Sequence, residues 1–91
     1  MIHVILFTAT WCRPCDALKP KFGELPKEHG GVVFSKMDIE KNADAARMYG
    51  VRSVPTMIVL QNDILVGTVV NPTTTAQMSE KIEETLEGNK R

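Results

Sequence analysis

The chain has 91 residues, of which 43% are hydrophobic and 24% charged, the composition of one ordinary globular domain with no room for a second. Eleven Lys and Arg residues balance eleven Asp and Glu residues, so the net charge is zero. This balance gives no reason to expect a nucleic acid or an anionic membrane as a partner. The apolar runs are too short to span a bilayer, and the N-terminus lacks the features of a signal peptide, so we expect a cytoplasmic protein.

The first predicted strand covers residues 2–8, and its run Val4-Ile5-Leu6-Phe7 is continuously apolar. Such a run favours a central strand whose two faces are both covered. A helix is predicted to begin at Arg13, because apolar residues recur along it at helical spacing. Pro20 lies inside this helix and should kink it, and Leu25-Pro26 should mark its end.

Three further strands are predicted, over residues 32–37, 56–60 and 64–69. The first of these should lie parallel to the strand before it, because a helix crosses between them. The other two flank Asn62-Asp63, a hairpin signal, and should be antiparallel. A short helix should precede them, with Asn42 as its N-cap and Gly50 just past its end.

The last predicted helix begins at a capping box formed by Thr74 and Gln77 and ends at Gly88. Residues 89–91 should be loose. The predicted order of elements is therefore βαβαββα. It corresponds to a single α/β domain over residues 1–91, with a mixed four-stranded sheet and three helices.

Between the first strand and the first helix lies Trp11-Cys12-Arg13-Pro14-Cys15, which holds the only two cysteines at a spacing that can close a disulfide. Cys12 should lie at or just before the helix N-terminus, where free N–H groups and the helix dipole stabilise a thiolate. Arg13 adds a positive charge and should lower the pKa of that thiol further, and Pro14 suits the first helical turn. The pattern indicates thiol–disulfide exchange, in which one thiol attacks a substrate disulfide and the other, Cys15, releases the substrate.

Two other roles for the cysteine pair fit less well. A zinc site needs two more ligands, and the chain has only two histidines, His3 and His29. A structural disulfide between residues this close in sequence removes little entropy from the unfolded chain, so it would stabilise the fold weakly. In the cytoplasm, a Cys-x-x-Cys pair is more often redox-active than structural.

The motif Trp-Cys-x-Pro-Cys after an apolar strand resembles the thioredoxin family, with Arg13 in place of the usual glycine. The resemblance continues through Asp38 to Glu40 and through Tyr49 to Leu60, and it covers residues 4–86 in all. It implies a compact thioredoxin-like fold, because full-length members carry an additional strand and helix ahead of the first strand here.

The resemblance also implies roles for individual residues. Cys12 would be the nucleophile and Cys15 the resolving thiol, with no metal and no bound cofactor besides the redox-active disulfide that they form. The Val54–Pro55 peptide bond would be cis, and its loop would lie against the disulfide and pair with an extended substrate. The expected substrate-binding residues are Trp11, Arg13, Pro14, Val54 and Pro55, and Val70 and Pro72 should complete a small apolar surface around Cys12.

Four positions matter for how far the family mechanism carries over. Leu6 stands where thioredoxins usually have a buried aspartate that helps to take the proton from the second cysteine, so proton transfer from Cys15 must be arranged differently. Lys36 matches the lysine beside that aspartate, in a supporting position, and should either reach solvent or act on Cys15 by proximity. Asp63 and Asn71 replace glycines, and Asn71 should lie on the docking surface and alter client choice.

The leading hypothesis is a small monomeric, cytoplasmic thioredoxin-like enzyme that reduces disulfide-containing client proteins. Its electrons would come from a reductase of the thioredoxin-reductase kind. One alternative is a glutaredoxin-like electron donor to a reductase such as ribonucleotide reductase, although the sequence shows no clear signature of a glutathione site. Another is a non-catalytic binding module of the same fold, which would keep its activity when both cysteines are replaced by serine.

Overall fold

The structure, a computed structural model, describes residues 1–89. These residues form four strands and three α-helices in the predicted order βαβαββα. The strands are β1 (Ile2–Thr8), β2 (Val32–Asp38), β3 (Thr56–Gln61) and β4 (Ile64–Val70). The helices are α1 (Arg13–Glu24), α2 (Ala43–Met48) and α3 (Thr75–Asn89), and a 3₁₀ turn, Leu25–Lys27, follows α1.

The four strands form one mixed sheet in the order β2-β1-β3-β4. β1 pairs in parallel with β2 and antiparallel with β3, and β3 and β4 form an antiparallel hairpin. β1 therefore lies inside the sheet, and every residue from Val4 to Phe7 is at most 2% exposed. The prediction of a central strand, drawn from its uninterrupted apolar run, is confirmed.

The sheet separates two apolar clusters, because successive side chains of a strand point to opposite faces. Val4 and Leu6 of β1 belong to the larger cluster, which includes residues of α1 and α3. Ile5 and Phe7 belong to the smaller cluster on the other face, together with Ala46 of α2. The buried members of the larger cluster are Ile2, Val4, Leu6, Leu18, Phe22, Leu25, Met57, Val59, Met78 and Ile82.

α1 begins at the predicted residue, Arg13, and contains Pro20 without ending there. A proline lacks the N–H that would donate to the carbonyl four residues earlier, so one hydrogen bond of the helix is missing at this point. Leu18 and Phe22, on either side of the proline, are both buried against the sheet. Packing of this apolar face therefore holds α1 in place across the gap.

α2 follows Asn42, as predicted, but the asparagine side chain does not cap the helix. Its Nδ2 instead donates a 3.0 Å hydrogen bond to the carbonyl oxygen of Asp38 at the end of β2. The amide thus stabilises the loop rather than the first turn of α2. Gly50 lies just past the helix with a φ of 70°, the left-handed conformation in which glycine is favoured.

α3 begins with the predicted capping box. The N–H of Gln77 donates a 3.1 Å hydrogen bond to Oγ1 of Thr74, and the N–H of Thr74 donates a 3.2 Å bond to Oε1 of Gln77. The prediction that Gly88 ends the helix is wrong, because α3 continues to Asn89. Gly88 is not among the described glycines with positive φ, so it does not reverse the chain. The prediction that residues 89–91 are loose is wrong at Asn89, which is the last residue of α3, and residues 90–91 lie outside the described residues.

No helix within residues 1–89 is both long enough and apolar enough to cross a lipid bilayer.

Candidate active site

The two cysteines meet where the turn after β1 enters the first turn of α1. A disulfide joins Cys12 to Cys15, with their Cα atoms 5.3 Å apart, inside the usual range for this bond. Cys12 is the N-cap of α1, and the backbone N–H of Cys15 donates a 3.2 Å hydrogen bond to the Cys12 Sγ atom. Pro14 lies in the first turn of the helix, where no intrahelical bond needs the N–H that it lacks.

This geometry favours Cys12 as the reactive thiol. Once the disulfide is reduced, the N–H of Cys15 and the positive end of the α1 dipole lie next to the Cys12 sulfur, and both stabilise a thiolate. Cys15 lies one turn further along the helix and is completely buried, whereas Cys12 retains 3% exposure. Cys12 is therefore the more accessible of the two cysteines.

Apolar side chains from three parts of the chain enclose the disulfide. Ala9, Cys12 and Cys15 form one buried cluster, and Ile39 and Val54 pack against it. Ile39 directly follows β2, and Val54 lies in the loop that precedes β3. The end of β2, the turn after β1 and the loop before β3 therefore converge on the redox pair.

The Val54–Pro55 peptide bond is cis, as the resemblance implies. Pro55 is buried, and its carbonyl oxygen accepts a 2.8 Å hydrogen bond from the N–H of Asn71. On the other side of the loop, Oγ1 of Thr56 donates a 2.9 Å hydrogen bond to the carbonyl oxygen of Ser53. Both ends of the loop are thus held in place, and Val54 remains against the disulfide.

Trp11 lies at the surface immediately before the nucleophile and is 65% exposed. Its Nε1–H donates a 3.1 Å hydrogen bond to Oε1 of Glu40, in the loop after β2. Sequence reasoning did not single out Glu40, because the fold alone brings together two residues 29 positions apart. The available signal was that Glu40 ends the short segment Asp38 to Glu40 that carries part of the family resemblance.

The predicted apolar surface around Cys12 is smaller than the sequence suggested. Trp11, Pro14 and Val70 are exposed and Val54 is half-buried, so these four side chains can contact a partner. Pro55 and Pro72 are buried instead. Burial of a proline depends on the packing of the whole fold, which its place in the sequence does not reveal. Pro55 and Pro72 therefore add little exposed area to this surface.

Both histidines lie within hydrogen-bond distance of a serine hydroxyl. His3 Nε2 lies 2.8 Å from Oγ of Ser35, and His29 Nε2 lies 2.8 Å from Oγ of Ser79. Across the described part of the chain, no three His, Cys, Asp or Glu side chains are grouped so that they could hold a metal ion. The hydroxyl partner of His3 lies on the neighbouring strand β2, and that of His29 lies on α3.

Comparison with known proteins identifies the family. The family model described as Thioredoxin matches residues 1–84. This chain belongs to the thioredoxin family. The thioredoxin of Echinococcus granulosus is 44% identical over 64 residues, which are 70% of this chain and 60% of that protein. The thioredoxin of Buchnera aphidicola is 33% identical over 81 residues, which are 88% of this chain and 75% of that protein.

Solved structures agree with this thioredoxin assignment. The reduced Schistosoma mansoni thioredoxin pre-protein superposes with a TM-score of 0.83 at 35% sequence identity. The superposition covers 91% of this chain and 77% of that one. The thioredoxin fold thus extends over almost the whole of this chain. This chain matches 60–77% of the length of these three relatives.

Leu6 fills a position where the thioredoxin pattern has a buried aspartate. Leu6 has no exposed surface, belongs to the larger apolar cluster, and is paired with Lys36 on β2 and Met57 on β3. Lys36 is exposed, which confirms the expectation that its side chain reaches solvent. Because Leu6 cannot accept a proton, the proton of Cys15 must pass to a different acceptor during the reaction.

Asp63 and Asn71 replace thioredoxin glycines but keep a glycine-like backbone. Their φ angles are 68° and 53°, in the left-handed region. Asp and Asn adopt this region more readily than other non-glycine residues, because their short side chains can form local hydrogen bonds. At Asn71 the substitution therefore changes the side chain presented beside the Val54–Pro55 loop and leaves the backbone path as it is.

Proposed function

We propose that this protein is a thiol–disulfide oxidoreductase that reduces disulfides of client proteins, with Cys12 as the nucleophile and Cys15 as the resolving thiol. The observation that carries the proposal is the Cys12–Cys15 disulfide at the N-terminus of α1, where the Cys15 N–H donates to Cys12 Sγ. Membership of the thioredoxin family supports the same reaction.

The reaction proceeds in two exchanges. The Cys12 thiolate attacks one sulfur of the client disulfide, so that a mixed disulfide forms, the client S–S bond breaks, and the other client sulfur leaves as a thiolate and takes up a proton. Cys15 then loses its proton and attacks Cys12 Sγ, which releases the second client thiol. The client gains two electrons and two protons, and the protein keeps the Cys12–Cys15 disulfide present in this structure.

Client binding falls to the residues around the nucleophile. The exposed Trp11 and Pro14 offer apolar contact, and Arg13, also exposed, offers a positive charge. Val54 packs against the disulfide cluster, so its backbone lies where an extended client segment held at Cys12 can pair with it. Pro55 lacks a backbone N–H and holds the loop from below.

The proposal extends to the setting in which the enzyme works. A monomer in the cytoplasm, with no bound cofactor, would receive electrons from a separate enzyme of the thioredoxin-reductase kind. Two arguments support this setting. Exposed dithiols are kept reduced in the cytoplasm, so a Cys-x-x-Cys pair there serves turnover rather than stability. The family assignment is the second support.

Serine variants test the proposal, with insulin and dithiothreitol as substrates and turbidity of the separated insulin chains as the readout. Cys12→Ser should reduce the rate to that of dithiothreitol alone. Cys15→Ser should stop after the first exchange. When this variant is reduced, separated from dithiothreitol and then mixed with insulin, a covalent adduct with insulin should accumulate and be visible on a non-reducing gel. Thr10→Ser, a small change in the same exposed turn, should keep the wild-type rate. Wild-type activity in Cys12→Ser would contradict the proposal.

A further inference from the structure

A cleft lies on the α1 side of the molecule, near the redox pair. The cleft has a volume of about 230 Å³ and lies between α1 and the connection from β4 to α3. Pro14, which stands between the two cysteines in the sequence, belongs to its lining, so the cleft opens next to the disulfide. The lining residues are Pro14, Ala17, Leu18, Lys21, Pro72 and Thr73.

The lining of this cleft is mostly apolar. Leu18 and Pro72 are buried and form its floor, whereas Pro14 and Ala17 are exposed at its rim. A cavity of about 150 Å³ already accommodates a benzene-sized group. The cleft therefore has room for one aliphatic or aromatic side chain. Because the Val54–Pro55 loop is not part of the lining, the cleft is a second contact region beside the site described above.

The charge in the lining comes from Lys21. Its Nζ donates a 3.0 Å hydrogen bond to the carbonyl oxygen of Thr73, which ties α1 to the connection before α3. An ammonium group has three N–H donors, and this bond uses one of them. Asp16, the acidic residue in the first turn of α1, pairs with Lys19 at 3.6 Å. A carboxylate from a partner would therefore meet a positive side chain in the cleft.

We propose that this cleft is a subsite for the client polypeptide, an inference that rests on the function proposed above. It takes an apolar side chain close to the attacked cysteine, and Lys21 pairs with a client carboxylate next to that side chain. The position of Pro14 selects the client as the occupant. Pro14 lies between the two cysteines in the sequence and also lines the cleft, so a chain bonded to Cys12 passes close to it. Because Lys21 is positively charged, it favours clients in which an acidic rather than a basic residue lies next to that apolar side chain.

Chromogenic peptides test the subsite. Each peptide carries one cysteine in a disulfide with thionitrobenzoate. Two residues flank this cysteine, and they differ between three peptides: a leucine with a glutamate, a leucine with a lysine, or two glycines. The flanking pair precedes the cysteine in one series and follows it in another. Reduced protein forms a mixed disulfide with the peptide and expels thionitrobenzoate, the better leaving group, after which Cys15 releases the peptide. The measured quantity is the second-order rate constant for release of thionitrobenzoate by the pre-reduced protein in a single turnover, compared as a ratio between peptides.

In at least one series, the leucine and glutamate peptide should exceed the two-glycine peptide by about tenfold, because partial burial of a leucine side chain supplies a factor of this size. Ala17→Leu fills the cleft and should bring that ratio close to one. Lys21→Glu should reverse the preference between glutamate and lysine, and Lys21→Gln should remove it. Lys27→Glu makes the same charge change in the 3₁₀ turn beyond α1 and should keep both ratios.

The outcomes separate the two proposals. Equal rate constants for all peptides with the wild-type protein overturn the subsite and leave the oxidoreductase function in place. Equal effects of Lys21→Glu and Lys27→Glu also overturn it, because overall charge would then explain the preference. If the reduced protein expels no thionitrobenzoate from any peptide, the oxidoreductase function itself fails, and the subsite fails with it.

Discussion

The indole Nε1–H of Trp11 donates a hydrogen bond to Oε1 of Glu40 over 3.1 Å, and this bond links the redox turn to the loop after β2. The loop is itself held, because Oδ1 of Asp38 accepts a 2.8 Å hydrogen bond from the N–H of Glu40. An indole that is 65% exposed would otherwise be free to rotate. The bond therefore orients the large apolar surface that lies next to Cys12.

Glu40→Ala should release the indole and slow client reduction. A hydrogen bond of this kind is worth about 0.5–1.5 kcal/mol, so kcat/KM should fall roughly two- to tenfold. Glu40→Gln retains an acceptor oxygen and should stay close to the wild-type rate. The checks are the insulin assay and the fluorescence of Trp11. Equal losses in the two variants would show that the charge of Glu40, rather than its bond to the indole, matters.

Leu6→Asp, which restores the usual thioredoxin residue, should destabilise this chain strongly. Removing a buried leucine side chain costs about 2–5 kcal/mol, and an unpaired buried carboxylate adds to that cost. Leu6→Met nearly conserves the volume and should cost less than about 1.5 kcal/mol. Urea unfolding of both variants gives the comparison. Wild-type stability in Leu6→Asp would mean that Lys36 or another group can compensate the charge.

Asn71→Ala should destabilise the protein, because alanine lacks the local hydrogen bonds that make positive φ tolerable for asparagine. The expected loss is about 1 kcal/mol, whereas Asn71→Gly should equal or slightly exceed the wild-type stability. Both variants keep the backbone N–H that donates to the carbonyl oxygen of Pro55. Urea unfolding again measures the difference, and equal stability of the alanine and glycine variants would be inconsistent with a strained backbone.

Most of the fold could be predicted because its signals are local. The apolar run Val4 to Phe7, the turn Asn62-Asp63 and the capping box of Thr74 and Gln77 each specify their own conformation within a few residues. The two errors are also local. The side chain of Asn42 was expected to cap α2, but its Nδ2 donates to the carbonyl oxygen of Asp38 and it forms no cap. Gly88 was expected to end α3, but the helix continues to Asn89.

The site could be predicted only in part, because only some of its contacts are local in the sequence. Cys12 and Cys15 are close in sequence, so their meeting at a helix N-terminus follows from the local pattern. The bond from Lys21 to Thr73 joins residues 52 positions apart, and the cleft that it borders exists only once α1 lies against the connection from β4 to α3. Contacts of this kind depend on tertiary structure, which no short motif encodes.

Arg13→Gln should make Cys12 less reactive near neutral pH. Removing a positive charge beside the thiolate disfavours the charged form, so the midpoint of the pH profile for alkylation of Cys12 should move upward. The direction follows because a nearby positive charge favours the thiolate over the neutral thiol. Arg13→Lys should keep the wild-type midpoint. High salt should shrink the difference between the two variants, and a salt-independent difference would argue against an electrostatic cause.

The reduction potential of the Cys12–Cys15 pair should lie near that of thioredoxin, at about −270 mV, and below the range of about −200 to −230 mV typical of glutaredoxins. The reason is the modest stabilisation of the reduced state: one backbone N–H and the N-terminus of one helix lie beside the Cys12 sulfur, and the exposed Arg13 follows it in the sequence. Equilibration with dithiothreitol buffers measures the potential through the fluorescence of Trp11, the only tryptophan of the chain. Trp11→Phe, followed by thiol alkylation, controls for the probe. A value inside the glutaredoxin range would favour exchange with glutathione, because a pair at that potential is too oxidising to reduce most protein disulfides in the cytoplasm.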